Sequence, residues 1–147
     1  MSVAWAQLEG MPFPLGASWI KDQQAYNFAL YSKHAESVEL RFYSENDLST
    51  PVRVFQFDYL VNKSGPIWHC RIPYSEIESA NYYGYRIDGP GPGAGFSWHT
   101  FDAEKILLDP YARAIYFPPE FSRDAACQPG SNEGKRRWRI RASALRI

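Results

Sequence analysis

Four carboxylate side chains in one stretch of the chain are the residues best placed by type to do chemistry: Asp88, Asp102, Glu104 and Asp109. A pair of such groups can act as general acid and base. Asp88 stands before Gly-Pro, however, and Asp109 stands before Pro110. A carboxylate in such a position commonly accepts hydrogen bonds from nearby backbone N–H groups. We therefore predict that Asp88 and Asp109 cap turns and that the chain has no catalytic residue.

Histidine and cysteine give no metal site. His34, His69 and His99 do not form a spaced set of ligands, and Cys70 and Cys127 lack metal-type spacing. Half-buried or exposed strand histidines are the expected outcome. We interpret the two cysteines as free thiols, with a disulfide as the alternative.

Composition excludes several classes of partner. The 147 residues carry a formal net charge of zero, so the whole chain has no electrostatic preference for nucleic acid or an anionic membrane. No apolar run approaches the roughly 18 residues that a membrane span needs. The first residues lack the basic start and apolar run of a signal peptide. We expect a cytoplasmic protein.

Period-two alternation of apolar and polar residues predicts five short strands, around Tyr26–Leu30, Val38–Phe42, Val52–Phe57, Ile67–Ile72 and Tyr83–Ile87. Turn-forming residues separate them, most clearly in the stretch Asn62 to Pro66. No long amphipathic helix interrupts the series. This pattern favours an all-β fold, an antiparallel sandwich. The apolar parity of the strands predicts a shared core of Phe28, Leu30, Val38, Leu40, Phe42, Tyr83 and Tyr85.

The stretch that follows the fifth strand combines a loop with an extended exit. The loop GPGPGAG, from Gly89 to Gly95, holds four glycines and two prolines, which end the strand. Ile106-Leu107-Leu108 then runs into Asp109-Pro110. Because a residue before proline is pushed out of the α region, LLDP should be a short extended piece entering a turn.

An ordered series of motifs resembles a known family. YGYRIDGP, the glycine-rich loop and KILLDPYARAI follow the upstream pieces PLGA (residues 14–17), YNFALYS (26–32), VELRFY (38–43) and IWHCRIP (67–73). Together they are similar to the N-terminal domain of glycogen-debranching enzymes of the isoamylase type, in the α-amylase superfamily. The resemblance implies an immunoglobulin-like sandwich of the early-set type that precedes a catalytic barrel.

The resemblance also implies the activity of an intact enzyme. Such an enzyme would hydrolyse α-1,6-glucosidic branch linkages in glycogen or limit dextrin, without an organic cofactor. Glycoside hydrolysis uses two carboxyl groups that flank the scissile bond, and in this superfamily they belong to the barrel. The chain alone is therefore expected to be inactive, with the barrel in cis and an α-glucan as the partners of the intact enzyme.

Sugar binding by the domain itself is the second hypothesis. Exposed tryptophans can stack on glucose rings. Trp68 and Trp98 are the main candidates, and Trp19 is a further one. In related glycogen-binding modules a lysine is expected where this chain has Gly84. The alternative is that the aromatics pack in the core or against a following domain. For interdomain packing we select Phe96, Leu107, Leu108, Tyr111 and Ile115.

The predicted organisation has four parts. Residues 1–10 are a lead-in, residues 11–117 the β-sandwich, and residues 118–135 a linker towards a barrel. Residues 136–147 form a basic tail that departs from the family pattern. We interpret this tail as an out-of-frame sequence, and a basic arm of an interaction protein is the alternative.

Overall fold

Nine strands and two short 3-10 helices make up the described fold. The computed structural model describes residues 9–47, 50–90 and 101–112, and the backbone of two later strands. The strands are β1 Gly16–Ile20, β2 Ala25–Tyr31, β3 Ser37–Tyr43, β4 Arg53–Gln56, β5 Lys63–Ser64, β6 Ile67–Pro73, β7 Tyr82–Asp88, β8 Ile115–Tyr116 and β9 Arg139–Arg141. The 3-10 helices are Lys21–Gln23 and Tyr74–Glu76. Within the described ranges, no helix has the length and apolar character to cross a bilayer.

Two antiparallel sheets form an immunoglobulin-like sandwich. Sheet A has the order β1-β2-β6-β5, and sheet B has the order β4-β3-β7-β9-β8. All named strand pairs are antiparallel. The predicted fold class is confirmed, and the five predicted strands correspond to β2, β3, β4, β6 and β7. Strand β1 was not predicted, because its sequence GASWI lacks a regular alternation.

The core lies between the inward faces of the two sheets. In sheet A, Phe28 pairs with Cys70, and in sheet B, Phe42 pairs with Tyr83. The ring of Phe28 meets Phe42 and Tyr83 across the sandwich, with centroids 5.4 and 5.2 Å apart. All seven residues predicted for the core are buried, which confirms the parity argument.

The outer face of sheet A is covered by a segment that we call the strap, residues 9–15. The side chain of Asn27 on β2 is fully buried and bonds to both backbone groups of Met11: it accepts from the N–H at 2.6 Å and donates to the carbonyl at 2.9 Å. The ring of His69 bonds to the carbonyl of Glu9. Residues 9 and 10, expected to belong to a lead-in, are therefore part of the packed structure.

Gly10 allows the strap to lie this close to the sheet. Its φ is +66°, and an added Cβ would lie 2.5 Å from the carbonyl carbon of Cys70. Any other residue would be strained in its backbone and would collide with β6.

Two connections close the lateral openings between the sheets. On one side, residues 57–62 cross from β4, the edge of sheet B, to β5, the edge of sheet A. On the other side, residues 101–112, which we call the exit segment, run between β7 and β1. Leu107 exchanges two backbone hydrogen bonds with Tyr85, and Tyr111 touches Gly16. The two closures thus lie at opposite edges of the sandwich.

The aromatic core predicts a large loss of stability on truncation. Leu40 is fully buried, so Leu40→Ala should lower the free energy of unfolding by about 2–5 kcal/mol. Chemical denaturation followed by circular dichroism measures the change. Val52→Ala, at a side chain that is 43% exposed, is the control and should stay within about 0.5 kcal/mol of the parent. A Leu40→Ala variant as stable as this control would contradict the core assignment.

Candidate functional site

Asp109 anchors the exit segment to the sandwich. Its side chain is 1% exposed, and one carboxylate oxygen accepts a hydrogen bond from the Tyr83 hydroxyl at 2.9 Å. The other oxygen accepts from the backbone N–H of Tyr111 at 2.8 Å. The N–H of Ala112 donates to the Asp109 carbonyl and closes the turn. Because Pro110 has no backbone N–H, it offers the carboxylate no donor, and the backbone hydrogen bond comes from Tyr111.

Burial sets the ionisation of this pair. Removal from water raises the pKa of Asp109 above its ordinary value, although the hydrogen bonds from Tyr111 and Tyr83 lower it in part. Burial, and then the neighbouring Asp109, raise the pKa of Tyr83 well above its ordinary value. The Tyr83 hydroxyl therefore stays protonated and donates a hydrogen bond to the Asp109 carboxylate.

The carboxylates predicted to cap turns do so. Asp88 accepts a hydrogen bond from the N–H of Gly89 at 2.9 Å, and Asp109 accepts from Tyr111. Asp102 accepts from the N–H of Glu104 at 3.0 Å. These three groups are engaged with the backbone, which is the predicted role for Asp88 and Asp109.

Ile106 covers the position where related sugar-binding modules are expected to carry a lysine. Gly84 lies on β7, and a Cβ added there would come within 2.6 Å of the Ile106 methyl carbon and 3.2 Å of the Leu107 carbonyl oxygen. Ile106 is 2% exposed and forms a small cluster with Tyr43 and Tyr82. The exit segment therefore occupies this part of the sheet B surface.

Trp68 lies in the core, which corrects the sugar-stacking role predicted for it. The side chain is 1% exposed, and its indole N–H donates to the Ser32 carbonyl at 3.1 Å. The Phe57 ring packs against it edge-on, and the Lys63 amine lies 5.1 Å from its ring centroid. A stacked glucose ring needs an open aromatic face, and Trp68 has none. Trp19 is half-buried, 4.8 Å from the Tyr26 ring.

The interdomain residues divide into exposed and packed positions. Leu107 is 41% exposed and Tyr111 is 57% exposed, whereas Leu108 packs against the core. Ile115 belongs to β8, whose backbone alone is described. Phe96 and Trp98 lie outside the described residues.

Two groups of exposed apolar side chains that the sequence did not single out lie on the strap and on the β4–β5 connection. Met11 and Phe13 of the strap are 38% and 64% exposed. Three consecutive residues of the β4–β5 connection, Tyr59, Leu60 and Val61, are 64%, 76% and 37% exposed. Neither segment shows a regular alternation of apolar and polar residues. The sequence pattern therefore could not predict which of its side chains would face solvent. For the β4–β5 connection, one sequence signal was available: an apolar run between two turn residues, in the order Asp-Tyr-Leu-Val-Asn. Such a run in a turn indicates exposed apolar side chains.

A small polar pocket of about 130 Å³ lies on the outer face of sheet B. It is lined by Ser37, Glu39, Arg86, Ile87, Asp88 and Ala103. Arg86 is held by a 2.6 Å hydrogen bond from its Nε to the Ala103 carbonyl, and Glu39 is paired with Arg41 at 3.1 Å. The lining has no aromatic ring, so the pocket lacks a stacking platform for sugar.

Metal-type residues and thiols show no reactive arrangement in the described ranges. There, no group of three or more His, Cys, Asp or Glu residues could hold a metal ion. His69 is 5% exposed, and its Nε2 lies 2.8 Å from the Ser64 hydroxyl. Cys70 is a free, fully buried thiol, and burial raises its pKa well above the ordinary value. Cys127 and His99 lie outside the described residues.

The fold and this arrangement define a class: an immunoglobulin-like β-sandwich domain in which the carboxylates of Asp88, Asp102 and Asp109 bond to the protein's own turns. The particular family follows from its sequence. The profile of carbohydrate-binding module 48, the isoamylase N-terminal domain, matches residues 14–112. The chain belongs to this family.

Relatives place this domain within larger proteins. A glycogen debranching enzyme from Yersinia enterocolitica is 39% identical over 107 residues, which are 72% of this chain and 14% of the relative. The Group B Streptococcus pullulanase SAP shares the fold with a TM-score of 0.56, at 18% identity, over 93% of this chain and 15% of that structure. The catalytic module of the pneumococcal glycogen-degrading virulence factor SpuA matches with a TM-score of 0.51 at 19% identity. The match covers 76% of this chain and 14% of that structure. The chain thus spans about one seventh of these relatives.

Two tyrosines on one strand provide a matched test of the Asp109 anchor. Tyr83→Phe should lower the free energy of unfolding by about 1–3 kcal/mol, because the buried carboxylate loses a donor. Tyr85→Phe should be neutral or stabilising, because its buried hydroxyl has no hydrogen-bond partner among the described residues. Denaturant titration of both variants measures the difference. Equal effects would contradict the anchor.

The raised pKa of Asp109 predicts a pH dependence with a definite sign. A group whose pKa is raised on folding binds its proton more tightly in the folded state. Its contribution to stability is complete below its ordinary pKa of 3.8 and is lost as pH rises through the folded value. The stability of the parent relative to Asp109→Asn should therefore fall as pH increases from about 3 to about 7. Asp102→Asn is the control, and a constant difference between parent and Asp109→Asn would refute this assignment.

Proposed function

We propose that the chain is the non-catalytic N-terminal module of a glycogen-debranching enzyme of the isoamylase type. The observation that carries this proposal is the family match over residues 14–112, together with 39% identity to a glycogen debranching enzyme. The intact enzyme would hydrolyse α-1,6 branch linkages in glycogen or limit dextrin. The module would cover the catalytic barrel and help to shape the groove for branched chains.

The described carboxylates support a non-catalytic role. Glycoside hydrolysis needs a proton donor and a nucleophile or base on either side of the scissile bond. Asp109 is buried and bonded to Tyr83, while Asp88 and Asp102 bind backbone amides. The acid–base pair would therefore come from the domain that follows.

A free-standing glucan-binding module that tethers a partner to glycogen is the second candidate. The family's description as a carbohydrate-binding module favours it. Two contacts weigh against it: Trp68 has no open face, and Ile106 fills the surface above Gly84. A glucan would have to bind elsewhere, with Trp98 as the remaining predicted platform.

The proposed compartment is the cytoplasm. The free thiol of Cys70 supports it, since cytoplasmic reductants keep thiols reduced. No cofactor, nucleic acid or membrane enters the proposal. The partners are an α-glucan, through the intact enzyme, and the catalytic barrel in cis.

The chain alone should neither hydrolyse nor tightly bind α-glucans. Incubation with pullulan and glycogen should release no reducing ends, because the acid–base pair is supplied by another domain. Titration with maltoheptaose should give no saturable change in tryptophan fluorescence at micromolar concentration. The Yersinia enzyme is the positive control for hydrolysis. Release that Asp102→Asn abolishes would overturn the non-catalytic role, and micromolar binding lost in Trp98→Ala would favour the tethering module.

A further inference from the structure

We propose that Arg71 is the centre of a binding site for a small oxyanion on the outer face of sheet A. The ligand is a phosphate group or a carboxylate, whose two oxygens a guanidinium can bind side by side. The anion enters from the turn between β1 and β2. This site goes beyond the proposed function and does not rest on it.

Three polar side chains stand in one row across sheet A. Ser18 on β1 is paired with Asn27 on β2, and Asn27 is paired with Arg71 on β6. Residues directly opposite each other in antiparallel strands project from the same face of the sheet. Asn27 binds the backbone of Met11 beneath the strap. Arg71 therefore lies on the outer face, beside the strap and away from the core.

Arg71 is a buried cation without a carboxylate partner in the described part of the chain. The residue is only 8% exposed. Among residues 9–47, 50–90 and 101–112, no acidic side chain forms an ion pair with it. These ranges include Glu9 of the strap and Asp22 of the β1–β2 turn, the acidic residues of the two adjoining segments. Because a buried charge is costly unless it is paired and hydrogen-bonded, this position favours an added anion.

The guanidinium also has a donor that no described residue uses. An arginine side chain carries five N–H donors. Nη1 of Arg71 donates to the Gln23 amide oxygen at 2.7 Å. The Nε atom is buried and has no hydrogen-bond partner among the described residues. Phosphates and carboxylates accept two parallel hydrogen bonds from a guanidinium, so the unpaired Nε–H indicates the edge on which the anion binds.

The β1–β2 turn gives the anion its access. Gln23 ends the 3-10 helix Lys21–Gln23, and all three residues of this helix are exposed. Within the turn, the described contact with the guanidinium is the side chain of Gln23, which is neutral. An oxyanion that replaces the Gln23 amide adds an opposite charge to the hydrogen bond. That exchange is favourable next to a cation that is largely removed from water.

Gln23 and Gln24 form a matched pair of positions for a test. Both are exposed, but the Gln24 side chain donates to the Lys21 carbonyl at 2.9 Å instead of binding Arg71. Gln23→Glu places a carboxylate next to the guanidinium, and Gln24→Glu adds the same charge without that contact. In phosphate-free buffer, Gln23→Glu should therefore raise the unfolding midpoint of the chain, and Gln24→Glu should not.

The binding experiment titrates the chain with inorganic phosphate and, separately, with acetate at constant ionic strength. Phosphate stabilises folded proteins in general, so the readout is the nuclear magnetic resonance signal of the Arg71 Nε–H. This signal should shift and saturate with one of the two anions, which identifies the class of ligand. Gln23→Glu should weaken that binding by about tenfold, and Gln24→Glu should leave it unchanged. The control is the signal of Arg41, which is paired with Glu39 at 3.1 Å and should not shift.

Three results would overturn the proposal. The first is an Arg71 signal that does not saturate with either anion. The second is an equal response at Arg41 and Arg71, which reports a general salt effect. The third is equal stability of Gln23→Glu and Gln24→Glu, which would show that Arg71 lacks no counterion. Gln23→Glu keeps the buried arginine, so the test does not depend on a variant that loses it. None of these results bears on debranching activity, which tests the proposed function on its own.

Discussion

The buried hydrogen bond between Tyr83 and Asp109 is the interaction on which the exit side of the sandwich depends. It ties a segment without regular structure to the central strand of sheet B. Because the bond holds Asp109, Leu108 and Ala112 can pack on the core while Leu107 and Tyr111 remain at the surface. The closure between β7 and β1 therefore rests on one carboxylate whose burial is costly and whose partners offset that cost.

Asn27 holds the strap on the outer face of sheet A, as Asp109 holds the exit segment. A strap that crosses a sheet leaves its backbone groups without strand partners, and buried backbone groups must be paired. The Asn27 amide uses its oxygen and one of its two N–H groups to satisfy both backbone groups of Met11. The strap and the exit segment are thus each fixed by a buried polar side chain.

Sequence periodicity predicted the sandwich and its core because alternation along a strand is a local property. Phe28, Leu40 and Tyr85 could be assigned to the core from their neighbours alone. The turn roles of Asp88 and Asp109 were also predictable, since an aspartate before Gly-Pro or Pro binds adjacent amides. The strap could not be predicted, because its bonds to Asn27 and His69 join residues 16 and 60 positions apart. For the same reason the sequence left Trp68 between sugar binding and core packing: its burial depends on Ser32, Phe57 and Lys63, which the local pattern does not connect to it.

The contact between Ile106 and Gly84 also constrains how this domain can change over evolutionary time. A larger side chain at position 84 would require Ile106 to shift, because a methyl carbon of Ile106 lies 2.6 Å from where the added Cβ would be. A lineage that acquired a sugar-binding lysine there would first need a smaller residue at 106 or a shifted exit segment. The reverse order passes through a clashing intermediate. Positions 84 and 106 should therefore vary together. A change at position 106 or in the exit segment should precede the change of Gly84.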